Sequence, residues 1–440
     1  MSIELPPLRL AWFSPFPPNR SGVAAYSAEL LPLLEGEFRI DRFPESDAHD
    51  FVWRHRRAPY DLIVYQLGNA PFHDYMWPYL TAYPGLVVLH DARLHHARAR
   101  QLLREKRFDD YRHEFWFDHP GTPRDVVEYA VEGLGGPIYY FWSMLRVVMQ
   151  TARAIAVHNA RVAETLRAEY AGAAIDTIRM GVPAIPTDAP ARTAARRALA
   201  LPDDALVFAV FGKITAEKRI SPILHAFAAL GASVPEALLL LVGDASEYAS
   251  LDAEIARHGV AGRVRITGHV ADDTVGMHLA AADVCLCLRW PTAGETSASW
   301  LRCLAAGRPT IVTDLPHLAD IPTIEPSTWG CTPRSASPVA VRIDLLDEAS
   351  QLERALHRLA DDSRLRTDLG AAGLTCWSAN HTLDIMAGDY RRLLREAAAR
   401  ANPAPADLPA HLTNDCTGSV RKIADQFGIS SMLSALHLDR

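Results

Sequence analysis

The sequence predicts an α/β protein of two domains, each a parallel sheet wound by helices, and three observations carry that expectation. The chain has 440 residues, and at about 100 to 200 residues per domain this length calls for two or three cores. Short apolar runs recur along it, each followed by a stretch of helical periodicity, the pattern of strand and crossover-helix units. Two sets of these runs are separated by Met180-Gly181-Val182-Pro183 and the stretch IPTDAPA, where proline and small residues break both periodicities.

In chain order, the strands expected in the first half lie at 8–13, 62–65, 86–90 and 154–158, and those in the second at 206–211, 238–242, 264–267, 284–288 and 309–313. Beyond them, leucines and charges alternate at helical spacing over 348–369, and 385–400 reads as another amphipathic helix. The proline and alanine stretch ANPAPADLPAH follows as a linker. The domains are therefore expected at 1–182 and 183–375, with a C-terminal helix at 376–400 and a linker and tail of unassigned role at 401–440.

Composition narrows the class. With 49% hydrophobic and 22% charged residues, the chain is globular rather than disordered. Its strongest apolar run, 237–242, covers six residues, whereas a spanning helix needs about 20; the stretch 138–149 is broken by Arg146. The opening residues MSIELPPLRLAWFSP hold Glu4, two prolines and no basic start, so a cytoplasmic location is expected rather than secretion. Six cysteines without a CxxC pair imply neither a disulfide framework nor a zinc site, and Cys285 and Cys287 share one face of a strand. The formal charge, 45 − 52 = −7, argues against a nucleic-acid partner. One basic segment stands out. Between Arg93 and Arg112 there are seven Arg or Lys against Glu105, Asp109 and Asp110. Its plainer reading is a solvated helix face, since acids interleave; the other is contact with an anionic membrane surface or a lipid-linked acceptor.

Two segments hold the candidate chemistry. In FGKITAEKRISPILHAF, residues 211–227, a strand delivers Gly212 to a turn and a helix begins near Arg219, with Lys213 and Lys218 in the loop between. Free N–H groups and the helix dipole favour an anion at such a terminus, and two ammonium groups strengthen this for a phosphate or diphosphate. Arbitrary lysine pairs are more often solvated surface charges; the loop position is what favours a site. In RWPTAGETSASWLRCLAAGRPTIV, residues 289–312, a strand runs into a loop with Pro291, Gly294 and Glu295, then a helix whose first turn carries Thr296, Ser297 and Ala298. Small residues there let amides approach an anion, and Glu295 can accept from hydroxyls. Capping of the helix by Glu295 and Thr296 is the competing reading. Both segments follow strand ends, where ligands of open α/β sheets bind.

The order Gly212-Lys213-x4-Lys218, Val242-Gly243-Asp244, Thr267-Gly268-His269-Val270, Pro291-Thr292-Ala293-Gly294-Glu295 and Leu304-Ala305-Ala306-Gly307-Arg308-Pro309 resembles the donor domain of retaining glycosyltransferases of the GT-B fold, family 4 (glycosyl transferases group 1). In the first half, Ser14-Pro15, Ser21-Gly22-Val23-Ala24-Ala25-Tyr26 and Val87-Val88-Leu89-His90-Asp91 resemble that family's first loop and active-site histidine strand, and Tyr65-Gln66-Leu67-Gly68-Asn69 is similar to a bacterial subset. The resemblance implies two facing Rossmann-like domains, acceptor-side then donor-side, with the C-terminal helix returning to the first. It implies a nucleotide-sugar donor, a carbohydrate, lipid-linked or small-molecule acceptor, no cofactor and no metal. It assigns Lys213 and Lys218 to the diphosphate, Glu295 and His90 to the reacting sugar, and Thr296, Ser297 and Ala298 to the distal phosphate. Gly22, Gly243 and His269 fall on the donor's surroundings, and Gln66 and Asn69 become acceptor-side candidates. One departure stands out: the second glutamate of the family's E-x7-E motif, which binds the ribose, falls at Cys303, and a thiol is a weak partner for ribose hydroxyls. A sugar-nucleotide epimerase on the same scaffold and a degenerate, non-catalytic nucleotide-sugar-binding scaffold are the alternatives.

Overall fold

A computed structural model describes residues 7–186, 189–333, 336–414 and 418–431; Cys416 and the last nine positions of the tail lie outside the described residues. Two sheets build the protein. The first has the order β2-β1-β3-β4-β5-β6, all parallel, from β1 (Arg9–Phe13), β2 (Arg39–Phe43), β3 (Leu62–Leu67), β4 (Leu86–Leu89), β5 (Ala154–Val157) and β6 (Ile175–Thr177). The second has the order β13-β12-β14-β11-β10-β7-β8-β9, from β7 (Val207–Phe211), β8 (Leu238–Val242), β9 (Val264–Gly268), β10 (Val284–Cys287), β11 (Thr310–Thr313), β12 (Thr323–Ile324), β13 (Cys331–Thr332) and β14 (Ala340–Ile343). Among the described strands only β12 and β13 pair antiparallel, apart from an isolated antiparallel bridge between Gly243 and Gly268. Helices cover both faces, so the strands at the centre are buried on both sides and read as unbroken apolar runs; β3 and β4 are buried at every residue.

The two-sheet expectation therefore holds, with two corrections. The 348–369 stretch is not one helix: Glu348–Asp361 and Ser363–Asn380 are separate, and Asp362 between them caps the second by accepting from Leu365 N at 2.9 Å. The returning helix runs over Leu383–Ala399, capped by Thr382. Its buried residues Met386, Ala387, Tyr390, Leu393, Leu394 and Ala397 form one stripe at spacings of three and four. That stripe packs into the first domain beside the helix Gly22–Leu34. Ion pairs Arg179–Asp389, Arg392–Asp176 and Arg391–Glu37 hold its flanks. The linker beyond it is docked rather than free: Asn402 accepts from Arg153, His411 Nε2 lies 2.7 Å from Glu114 Oε1, and Leu412 packs on the first-sheet core.

Candidate active site

In a doubly wound sheet, a crevice opens where neighbouring strands send their connections to opposite sides. In the first sheet β1 sits between β2 and β3; in the second, β7 sits between β8 and β10. The loop after β1 leads to Gly22 at the start of its helix, the C-terminal end of β3 carries Gln66, and the loops after β7 and β10 carry Lys218 and Glu295. The two crevices meet. Ala92 N donates to Ala293 O at 2.8 Å, Arg302 pairs with Glu29 at 2.5 Å, and Asn159 donates to His317 O at 2.9 Å, each joining one domain to the other.

A cavity of about 220 Å³ lies at this junction, lined among others by Gly22, Tyr26, His90, Asp91, Thr296 and Arg302. Ser21 caps the helix that Gly22 opens, accepting from Ala24 N at 3.1 Å, and no atom stands within 4 Å of where a Gly22 side chain would begin. His90 follows β4. Burial, and then the neighbouring His158, hold it well below the ordinary histidine range, so it is neutral. Its Nε2 lies 2.8 Å from Gln66 Oε1. Asp91, which sequence reasoning had not placed in the site, accepts from Asn69 N at 2.6 Å and is pushed up to about 6 by burial and then by Glu295.

The acceptor-side candidates need correction. Gln66 is fully buried and its amide is spent within the protein, Oε1 on His90 and Nε2 on the hydroxyl of Tyr390 at 3.0 Å. Asn69 spends its side chain on main chain: Nδ2 donates to Arg93 O at 2.7 Å, and Oδ1 accepts from Ala97 N at 3.1 Å, in the first turn of the helix His95–Arg104. Neither side chain is free for an acceptor; both brace the strand ends that carry His90 and Asp91.

On the second sheet, Lys218 is 8% exposed and donates to Phe211 O at 2.7 Å. A side chain on Gly212, whose φ is +96°, would come within 2.7 Å of Ser299 Oγ and 3.2 Å of Lys218 Nζ, so the ammonium, the glycine and the start of the helix Ala298–Ala305 converge. Burial, and then Arg289, depress Lys218 to about 8. Arg219 makes this possible. It occupies the left-handed region at φ +59°, turning the short 3-10 segment Ala216–Lys218 into the helix Ile220–Leu230, and is held by Glu348 through Nε at 2.8 Å. Lys213 is not its twin. Half exposed, it pairs with Glu247 at 2.5 Å, so the expected two-lysine grip reduces to one buried cation and one surface cation.

Glu295 is held at the crevice: Oε2 accepts from Thr292 Oγ1 and Ala293 N, both at 2.8 Å, and Oε1 pairs with Arg289 at 2.9 Å. The helix starts later than expected. Ser297 is its cap, accepting from Trp300 N at 3.2 Å, and Thr296 precedes it. Among the described residues, the amides of Thr296, Ser297, Ala298 and Ser299 find no acceptor, the free donors of a helix N-terminus. Gly243, at φ +151°, passes so close to Gly212 O that a side chain there would clash at 2.2 Å; His269 is exposed at the end of β9. Both flank the rim without lining the junction cavity.

Cys303, at the position of the missing glutamate, is fully buried, with Sγ 3.8 Å from Cys287 Sγ, and contacts to Cys285 and Cys287 raise its pKa well above the ordinary thiol range. It faces the sheet, not a ligand. Four of the seven cations of the basic segment are paired with acids: Arg98 with Glu114, Arg100 with Asp74, Arg107 with Asp110, and Arg112 with Asp109 and Glu128. No described helix is long and apolar enough to cross a membrane.

Two facing parallel sheets with their crevices joined at the strand ends are the GT-B architecture of glycosyltransferases, and solved structures bear this out. The chain is similar to sucrose-phosphate synthase from Thermosynechococcus elongatus (TM-score 0.61, 16% identity, 88% of this chain and 98% of that one). It is also similar to HepE from Anabaena in complex with UDP and glucose (0.60, 13%, 88% and 100%) and to a glycosyltransferase from Rickettsia africae (0.58, 12%, 90% and 100%). At these identities the likeness is one of fold. Within that fold, residues 205–346, in the second domain, match the family model described as glycosyl transferases group 1. No curated protein matches the chain by sequence.

Proposed function

We propose that the protein transfers a sugar from a nucleoside-diphosphate sugar to a hydroxyl acceptor, with retention of configuration, without a metal ion, and in the cytoplasm. The observation that carries this is the convergence, at one crevice, of the buried Lys218 ammonium with the unpaired amides of residues 296–299. Breaking the anomeric bond leaves negative charge on the diphosphate, and pre-placed positive groups in a water-poor cleft stabilise that charge as it develops. Lys218 and the amides of Thr296, Ser297, Ala298 and Ser299 take the diphosphate. Glu295, already oriented by Thr292 and Arg289, accepts from hydroxyls of the transferred sugar. His90, neutral and lining the junction cavity with Asp91, lies where sugar and acceptor meet. Lys213 and His269 contribute only long-range charge and rim contacts. The acceptor enters from the first domain, as a carbohydrate, a lipid-linked sugar or a small molecule.

A screen of UDP- and GDP-sugars tests this reading, with UDP-glucose first because HepE was solved with UDP and glucose. Release of nucleotide with the sugar on a new molecule, α from an α-linked donor by NMR, is the expected outcome. An isomerised sugar without transfer would make the protein an epimerase. Absence of UDP and GDP binding at millimolar concentration in calorimetry would make it a scaffold.

A further inference from the structure

The hydrogen-bond chain that ends at His90 begins on the C-terminal helix, about three hundred residues away in sequence. Tyr390 is completely buried in the middle of that helix, its ring 5.5 Å from Trp12 of β1. Its hydroxyl lies 2.8 Å from the hydroxyl of Tyr26, on the helix that Gly22 opens, and accepts from Gln66 Nε2 at 3.0 Å. Gln66 Oε1 in turn meets His90 Nε2 at 2.8 Å. A primary amide has two unlike ends. Because Nε2 is committed to Tyr390, only the oxygen is left for histidine, and an oxygen accepts. His90 Nε2 must therefore carry the proton, and Nδ1, which makes no hydrogen bond among the described residues, carries the lone pair.

The reverse arrangement would require the tyrosine pair to point the other way. If the Tyr26 hydroxyl donated to Tyr390 and Tyr390 in turn to Gln66, the amide would turn over, Nε2 would face His90, and the histidine would hold its proton on Nδ1. Which tautomer exists is thus decided at the tyrosine pair. Burial raises both phenols above their ordinary range, so each keeps its proton. The pair therefore acts through the direction of its hydrogen bond, not through charge.

We propose that Tyr390, through the Gln66 amide, is a positioning residue that holds His90 in the Nε2-protonated tautomer, so that its Nδ1 accepts from a hydroxyl of the sugar or acceptor in the crevice. This rests on the sugar-transfer reading for its consequence but not for its geometry. It also gives the returning helix a chemical task in addition to packing, since the Tyr390 hydroxyl is the point where its apolar stripe meets the hydrogen-bond chain to His90.

The test is Tyr390→Phe, with Tyr26→Phe as a second variant, in the full chain. Nitrogen-15 spectra of histidine-labelled protein, with the His90 signal identified by its loss in His90→Gln, read the tautomer directly. The expected result for Tyr390→Phe is a shift of His90 from a pure Nε2–H pattern toward Nδ1–H. With it should come a fall in kcat of about tenfold, the scale of one lost neutral hydrogen bond, at unchanged donor KM. An unchanged tautomer pattern overturns the proposal whatever happens to stability or rate, because a merely structural tyrosine would leave the histidine signal where it was. If the tautomer shifts but wild-type protein moves no sugar, the relay stands and the transferase reading falls. Should Tyr390→Phe not fold, Tyr26→Phe, which leaves Tyr390 without its partner, must shift the tautomer balance in the same direction or the proposal fails.

Discussion

The two walls of the crevice are finished to different degrees. On the first-sheet wall the polar groups answer one another: Gln66, His90, Tyr390, Asn69 and Asp91 are joined by hydrogen bonds that need no ligand. On the second-sheet wall they are left over. Among the described residues, four amides have no acceptor, and the Lys218 ammonium, with three protons to give, donates one to a carbonyl, that of Phe211. Completed groups hold a geometry; incomplete ones have free energy to gain from a ligand. The difference assigns orientation of the reacting centre to the first wall and capture of the anion to the second.

The most damaging test of that contrast is at the seat of the missing glutamate. Cys303→Glu puts a carboxylate among buried thiols and is expected to cost about 3 to 5 kcal/mol of unfolding free energy, read from denaturant curves. A well-folded variant with tighter nucleotide binding would show that the seat opens to the ligand after all. Lys218→Ala should weaken nucleoside-diphosphate binding by about 2 to 3 kcal/mol in calorimetry while leaving nucleoside binding nearly unchanged; equal losses would contradict the phosphate role. The same lysine predicts a pH dependence. Its free-state pKa is lowered to about 8, and a bound diphosphate favours the ammonium and raises that value. Affinity is therefore full below pH 8 and falls as pH climbs above it, by up to about tenfold per unit, a slope that Lys218→Ala should abolish.

Glu295→Gln keeps an acceptor for Ala293 N but loses the charge facing Arg289. It should lower kcat about tenfold and leave diphosphate affinity within about twofold, since its assigned partner is the sugar. Lys213→Ala closes the series. An exposed cation already paired with Glu247 contributes less than about 1 kcal/mol, and a loss matching that of Lys218→Ala would restore the two-lysine grip.

The central strands were legible because burial on both faces leaves an unbroken apolar run, as in LVVL of β4. The edge strands of the first sheet were not. In RIDRF of β2 only Phe43 is buried, and three-residue β6 is too short to carry a period. In AVRI of β14, Arg342 interrupts the run although the strand lies inside the sheet. The same division runs through the site. Lys218, Glu295 and His90 stand beside strand ends and glycine turns, so local order identifies them. The use of Gln66 depends on Tyr390, and that of Cys303 on Cys287 across the helix and sheet; such partners are set by packing, which no local spacing encodes. Lys213 misled because adjacency in a loop does not fix where a long side chain goes.

The link from Ala92 N to Ala293 O joins the two halves through peptide groups alone. Neither side chain takes part in the bond, but both alanines are buried, so the small size of residues 92 and 293 is what lets the two main chains approach and sets the separation of the loops that carry His90 and Glu295. Proline at 92, which has no amide hydrogen, would remove this one contact and leave Arg302–Glu29 and Asn159–His317 to join the halves.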